Sequence, residues 1–331
     1  MDRDASDDPA RRLSAGEPGF RTPMLATLTD QAVSGEGWVF ERKLDGYRLI
    51  AVRDSAEVAL WTRNRLDRTG AFPEVARALA GEPAERFVVD GEVVALERGV
   101  PNFSLLQRRA GVSDPRAVLG TGIEVRFVLF DLLHLNGVDV HQLPLTRRQE
   151  LLRDAFTLEP PLYRSEPLAG DSETLLAEAC RTGWEGLIAK RADEPYRPGR
   201  SRSWLKLKCS ARQELVVGGW TDPRGTRTGF GSLLVGFYDD DGLLTFAGKV
   251  GSGFDQATLD DLAPRLAALA RPTSPFGRER PSGRELHWVE PRLVAEVEFS
   301  EWTGTDRLRH PRFCGLRPDK DPAEVVRERA S

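Results

Sequence analysis

The stretch Lys43-Leu44-Asp45-Gly46-Tyr47-Arg48 sets a lysine amine beside an Asp-Gly bend. A lysine attacks phosphorus only as the neutral amine, and its ordinary pKa is roughly 10.4. Its surroundings must therefore deprotonate it or make it less basic. Nearby cations would do so. Lys206 and Lys208, two apart in the strand-like run SWLKLK, point to one face and are the candidates. Asp45 and Glu92 pull the other way unless something else engages them. Taken alone, a K-x-D-G string is also what a surface strand entering a turn reads as. An isolated acid such as Glu92 or Glu185 is equally a surface charge at a strand end. What lifts these residues above that reading is their order. Lys43 is followed by Thr62-Arg63-Asn64, Asp90-Gly91-Glu92, Phe127–Asp131 (FVLFD), Glu185–Lys190 (EGLIAK), Trp204–Lys208 (WLKLK) and Arg317-Pro318-Asp319-Lys320.

Positioning such a set requires a strand-rich frame. WVFERKLDGYRLIAVRD reads as two strands about a Gly-marked bend, EVALWTRN as an alternating strand, and RFVVDGEVVAL as a strand with an Asp-Gly bend inside it. VRFVLFDLLHL is a continuous apolar run and reads as a buried strand. Helical spacing appears in FPEVARALAGE, with Val75 and Leu79 apolar and Gly81 as the stop, and again over 146–156 and 172–184. Short strands return at GLIAKR and SWLKLK. A boundary falls near 209–213. Beyond it, ELVVGGW, SLLVGFYD, LLTFAGKVG and LVAEVEFSEW read as strands, interrupted by one helix, DQATLDDLAPRLAAL. Such a pattern suits a small closed barrel. The loop DPRGTRTGFGS is Gly- and Arg-rich and is expected to be mobile and phosphate-facing.

The ordered series resembles the covalent nucleotidyltransferase superfamily: ATP-dependent DNA ligases, RNA ligases and mRNA capping enzymes. The resemblance runs from about Pro23 to Lys320. Pro23-Met24-Leu25-Ala26, the segment GFGSLLVGFYDDDGLLTFAGKVGSGF and the segment RHPRFCGLRPDK look like the ligase module of bacterial ligase D, an enzyme of non-homologous end joining. The resemblance implies an α+β fold: a disordered tail over 1–20, a nucleotidyltransferase (adenylation) domain with antiparallel sheets over 21–210, and an OB-fold over 213–331. It implies that Lys43 takes AMP from ATP and passes it to the 5′-phosphate of nicked duplex DNA. It sets Glu41 beside adenine and Phe130 in a stack with the base, although Phe130 and Phe127 could each be core. Arg48 and Arg63 match positions that hold ribose and DNA or phosphate, and Arg200 matches a nucleotide contact. Lys206 and Lys208 match the α-phosphate site. Glu92 serves ribose and metal, and Glu185 the metal, Mg²⁺ or Mn²⁺. Arg317, Asp319 and Lys320 match a motif that closes over ATP and orients pyrophosphate in the first step only, which implies a hinge near 209–213. One departure is Leu44, where ligase D modules often carry tryptophan.

Composition sets the remaining bounds. The formal net charge of −4 shows no basic footprint, yet the run from Arg197 to Arg212 carries six cations and no acid. The N-terminus has no apolar h-region and no stretch nears the ~20 apolar residues of a membrane-spanning helix. The expectation is a cytoplasmic, nucleoid-acting monomer with no membrane contact. The module is expected to stand alone, with Ku and separate end-processing polymerase and nuclease enzymes as candidate partners. The three scattered cysteines are poor material for a disulfide framework or zinc site, and the four histidines lack ligand spacing. Two alternatives stay open. An RNA ligase or capping-type enzyme shares the lysyl-nucleotide step. A non-catalytic OB-fold nucleic-acid-binding protein would share the barrel, but four tyrosines offer it few stacking platforms.

Overall fold

The computed structural model describes residues 14–328, apart from 98, 111, 113–114, 224–227, 279–280 and 283–284. It divides into two compact units, the first ending at Cys209 and the second beginning at Ser210.

The first unit is built on two sheets. In the larger, the strands Ser14–Ala15, Val138–Asp139, Val125–Leu135, Arg86–Glu97, Tyr47–Asp54 and Glu57–Thr62 lie in that order, with Leu162–Arg164 and Val100–Pro101 added at the side. The smaller runs Met24–Leu28, Gly199–Lys208, Gly186–Arg191, Trp38–Lys43. Alternation sorts their faces. Tyr47, Leu49, Val89, Val93, Phe127 and Leu129 pack beneath Val75 and Leu79 of helix Pro73–Ala80 and Leu152 of helix Leu145–Ala155. On the other face Ile50, Val88 and Leu133 meet Met24 and Trp204 of the smaller sheet. That sheet's outer face, with Phe40, Leu187, Ala189 and Leu207, packs on helix Ser172–Arg181. Asp171 starts this helix by accepting a hydrogen bond from the Thr174 N–H.

Three expectations need correction. The tail expected to be disordered through residue 20 is ordered from Ser14. Ser14–Ala15 pair with Val138–Asp139, because an edge strand there offers free backbone groups. Residues 1–13 lie outside the described residues. The sheets are not wholly antiparallel: Leu162–Arg164 run parallel to Phe127–Leu129, and Met24–Leu28 run parallel to the Gly199–Lys208 strand. Both parallel partners arrive by long connections, as parallel pairing requires. Finally, Cys180 and Cys209 form a disulfide. Cys180 lies in the last turn of a helix packed across the strand that Cys209 follows, so 29 residues of separation hide a Cα–Cα distance of 5.2 Å.

The second unit is a barrel of the expected OB type. Ala211–Thr221, Leu233–Tyr238 and Leu244–Val250 form a meander, and helix Gln256–Ala268 follows the third strand. Leu286–Phe299 returns beside the first strand and pairs with Arg312–Leu316. A parallel bridge between Ser252 and Arg312 closes the circuit. Gly218 is the surplus residue of a bulge in the first strand, and a Cβ there would lie 2.5 Å from the Phe276 ring. Four residues of the Gly/Arg-rich loop, 224–227, lie outside the described residues. Among the described residues no helix is long and apolar enough to cross a membrane.

Candidate active site

The smaller sheet lays out the lysine cluster as a grid. Its register pairs Lys43 with Gly186 and Gly186 with Lys208, then Glu41 with Ile188 and Ile188 with Lys206, then Val39 with Lys190 and Lys190 with Trp204. Alternation turns Lys43, Glu41, Lys190, Trp204, Lys206 and Lys208 toward the larger sheet, because Phe40, Leu187, Ala189 and Leu207 face the helix. The centre of the first row is glycine by necessity. Gly186 has φ +148°, and a Cβ on it would lie 2.0 Å from the Leu207 carbonyl oxygen. Gly46 is equally constrained, since its Cβ would lie 2.0 Å from the Val93 oxygen. The Asp-Gly bend after Lys43 therefore lies tight against the larger sheet.

The Lys43 Nζ donates to Glu185 Oε2 at 2.5 Å. Burial disfavours the charged ammonium, yet the charge and hydrogen bond of Glu185, with Asp45 and Glu92 behind it, outweigh burial and raise the Lys43 pKa above the ordinary lysine range. Here the acid in direct contact dominates the surroundings of the amine. This contact also gathers Lys43, Asp45, Glu92 and Glu185 at one place. Among the described residues no three His, Cys, Asp or Glu side chains surround a common point as a ready metal centre. Two carboxylates beside an amine still offer the hard oxygen donors that a divalent cation takes when water and phosphate complete its shell.

The larger sheet supplies the facing side. Arg48 lies opposite Glu92 in the register. Its guanidinium forms a two-point pair with buried Asp90 at 2.9 and 2.6 Å, and Tyr196 donates to the same carboxylate at 2.6 Å. Phe130 and Phe127 part company. Phe127 is fully buried in the core. Leu129 pairs with Gly91 and Asp131 with Asp90, which leaves Phe130 as the surplus residue of a bulge. Bulges re-aim side chains. Here the partly exposed ring turns to the inter-sheet side, edge-on to Trp204, with Arg48 5.4 Å and Lys190 4.5 Å from its centroid.

Glu41 is buried and fully engaged. Its carboxylate accepts from Gln149 at 2.9 Å, from Ser165 at 2.7 Å and from Lys190 at 2.9 and 3.0 Å. Arg63 is half-buried in the turn after the edge strand Glu57–Thr62. Arg200 is exposed near the far end of the strand that carries the lysine pair, where it donates to the Ala26 carbonyl at 2.9 Å. In the second unit, buried Arg317 forms a two-point pair with Asp319 at 3.0 and 2.9 Å and reaches Glu296 at 3.3 Å. Lys320 contacts Glu214 at 3.0 Å.

Residues 23–208 match the family model described as the ATP dependent DNA ligase domain, and residues 226–320 match the ATP dependent DNA ligase C terminal region. The chain belongs to the ATP-dependent DNA ligase family. It is 41% identical to the multifunctional non-homologous end joining protein LigD of Pseudomonas aeruginosa, over 97% of this chain and 39% of that protein. It is 43% identical to LigD of Mycobacterium tuberculosis, over 92% of this chain and 40% of that protein. This chain thus spans about two fifths of the length of these relatives. Among solved structures it resembles mycobacterial DNA ligase D complexed with ATP and MES, with 40% identity, a TM-score of 0.66, and coverage of 93% of this chain and 98% of that one. The expected architecture, an adenylation domain followed by an OB-fold, is that of this ligase family.

Sequence reasoning passed over several residues of the ligase frame. Lys190 was visible only as part of EGLIAK. Alternation with Leu187 and Ala189, which face the helix, marks it as a cation turned to the inter-sheet face. Asp90 and Asp131, both fully buried and directly opposed in register, were legible as acids inside apolar strands, which must be paired. Their partners Arg48 and Arg148 lie far off in sequence. Arg148 holds Asp131 at 2.6 and 2.8 Å.

Proposed function

We propose that this chain seals nicks in duplex DNA through a lysyl-AMP at Lys43. The observation that carries the reading is the row Lys43–Gly186–Lys208, with Glu185 on the amine and Arg48 and Glu92 on the facing sheet. In the first step Lys43 Nζ bonds to the α-phosphorus of ATP, the bond to the β-phosphate oxygen breaks, pyrophosphate leaves and the amine loses its proton. Next an oxygen of the nick's 5′-phosphate attacks that phosphorus, and the P–N bond breaks with a proton returned to the lysine. Last, the 3′-hydroxyl attacks the 5′-phosphorus and gives up its proton to solvent, the bond to AMP breaks, AMP leaves and the backbone is joined.

Lys206 and Lys208 share one face with Lys43 and suit the phosphate. Phosphoryl transfer is mostly positioning and charge neutralisation. Glu185 and Glu92 are the residues that would hold a divalent cation, which would neutralise developing phosphate charge when bound. A carboxylate so engaged no longer favours the Lys43 ammonium, so the same two acids would set when the amine becomes neutral. Phe130 offers a ring for adenine. Glu41, with both oxygens already taken, suits the shaping of the base pocket more than direct hydrogen bonding to the base. Arg63 and Arg200 suit backbone phosphates of DNA, and Arg317, Asp319 and Lys320 suit pyrophosphate in the first step. The likeness to LigD supports work in non-homologous end joining; action at the nucleoid as a monomer, with Ku and end-processing enzymes as partners, is part of the same proposal.

The test is incubation with ATP labelled at the α-phosphate. Label that withstands denaturation and vanishes in Lys43→Ala is the expected result; label persisting in that variant moves the nucleophile elsewhere. GTP-only labelling would favour the capping-type alternative. DNA binding is expected to fall steeply with salt, as contacts to phosphate do.

A further inference from the structure

In the second unit, Glu214 and Glu296 stand directly opposite each other on neighbouring antiparallel strands. Like charges so placed destabilise a sheet unless cations offset them. Two cations account for the arrangement. The Arg317 Nη1 reaches Glu296 at 3.3 Å and Glu214 at 3.8 Å, while its Nε and Nη2 are held by Asp319. The Lys320 Nζ meets Glu214 Oε1 at 3.0 Å. Glu214 thus touches both cations of the RPDK segment, although it lies about a hundred residues earlier, near the start of the unit's first strand.

We propose that Glu214 is a positioning residue for lysine adenylation, holding the Lys320 ammonium, and with it Arg317, ready for the polyphosphate of ATP. The proposal rests on the nick-sealing reading given above. A free lysine side chain samples many rotamers, and ordering it costs conformational entropy. A carboxylate on one side of the ammonium bears that cost before the nucleotide arrives. The ammonium has three donors, and one contact to Glu214 leaves the others for phosphate oxygen.

Glu214→Gln and Glu214→Asp test this in the full chain, with Glu298→Gln as control. Glu298 lies on the same strand as Glu296 and pairs with Arg212 and Arg312 instead. Lysyl-AMP formation is followed against ATP concentration, sealing of pre-adenylated nicked DNA is followed separately, and folding is checked by urea. Glu214→Gln is expected to raise the ATP concentration for half-saturation about tenfold, the loss typical of one charge-assisted contact, with the saturated rate falling less than about threefold. Sealing of pre-adenylated DNA stays within about twofold. Glu214→Asp keeps the charge and recovers most of the change, and it carries the test if the glutamine variant does not fold. An unchanged or lowered ATP requirement overturns the proposal, as does equal loss in both steps. Failure of the parent reading looks different: the unaltered chain would form no lysyl-AMP, or Lys320→Ala would impair both steps alike.

Discussion

Lys190 shows how a buried charge is tolerated at this site. Its ammonium is nearly inaccessible, bonded to a nearly inaccessible carboxylate and set 4.5 Å from the Phe130 and Trp204 ring centroids. Removing one member of such a pair strands the other's charge, at a cost of about 3–5 kcal/mol. Lys190→Met is therefore expected to lower the urea unfolding free energy by that amount, and adding Glu41→Gln should recover much of it. If the double variant is no more stable than the single, Glu41 is not the stranded partner. Asp319 makes a case that depends on pH. Burial alone would raise its pKa, but the Arg317 guanidinium outweighs burial and holds it below the ordinary 3.8. A depressed carboxylate pKa gives stability that is present above the unfolded value and lost as pH falls through the folded one. Asp319→Asn should cost about 3 kcal/mol near neutrality and much less in acid. A penalty constant down to about pH 3 would assign Asp319's contribution to packing rather than charge.

At the scale of elements, register decides what sits together. The lysine row exists because the Gly186–Arg191 strand passes between the other two with glycine at the crossing point. Gly186→Ala forces a Cβ against the Leu207 carbonyl at a positive φ. It is expected to cost more than about 1 kcal/mol, with lysyl-AMP formation falling further than stability does. A fully active, equally stable alanine variant would show that the strand has room to shift. Much of this frame was legible beforehand. The run VRFVLFDLLHL is the strand Val125–Leu135, and the FPEVARALAGE spacing is the helix Pro73–Ala80 with Pro73 at its start. Lys43 and the 206/208 pair were legible because period-two alternation and motif order are local properties. The bulge at Phe130, the parallel pairings and the Glu214–Lys320 contact were not, because each depends on which distant strand becomes a neighbour. The contact of Glu185 with the Lys43 amine was hidden for the same reason. Which charge touches an amine is a tertiary fact.

For the whole chain, the Cys180–Cys209 bond matters most beyond the site. It closes a loop across 29 positions that contains Glu185, Lys190, Lys206 and Lys208, and it ends at the last residue of the first unit. Loop-closure entropy alone gives such a bond roughly 3–4 kcal/mol. The oxidised chain is expected to exceed the Cys180→Ser/Cys209→Ser variant by about that much in urea, with the gap closing on reduction of the parent. Equal stabilities under oxidising conditions would mean that the thiols stay unpaired in solution. The bond also has a consequence for limited proteolysis. Arg200 and Arg202 are exposed and lie between the two sulfurs. A trypsin cut after either arginine leaves fragments that migrate as one species on a non-reducing gel and separate only when dithiothreitol is added. A severed backbone here would not by itself release a fragment.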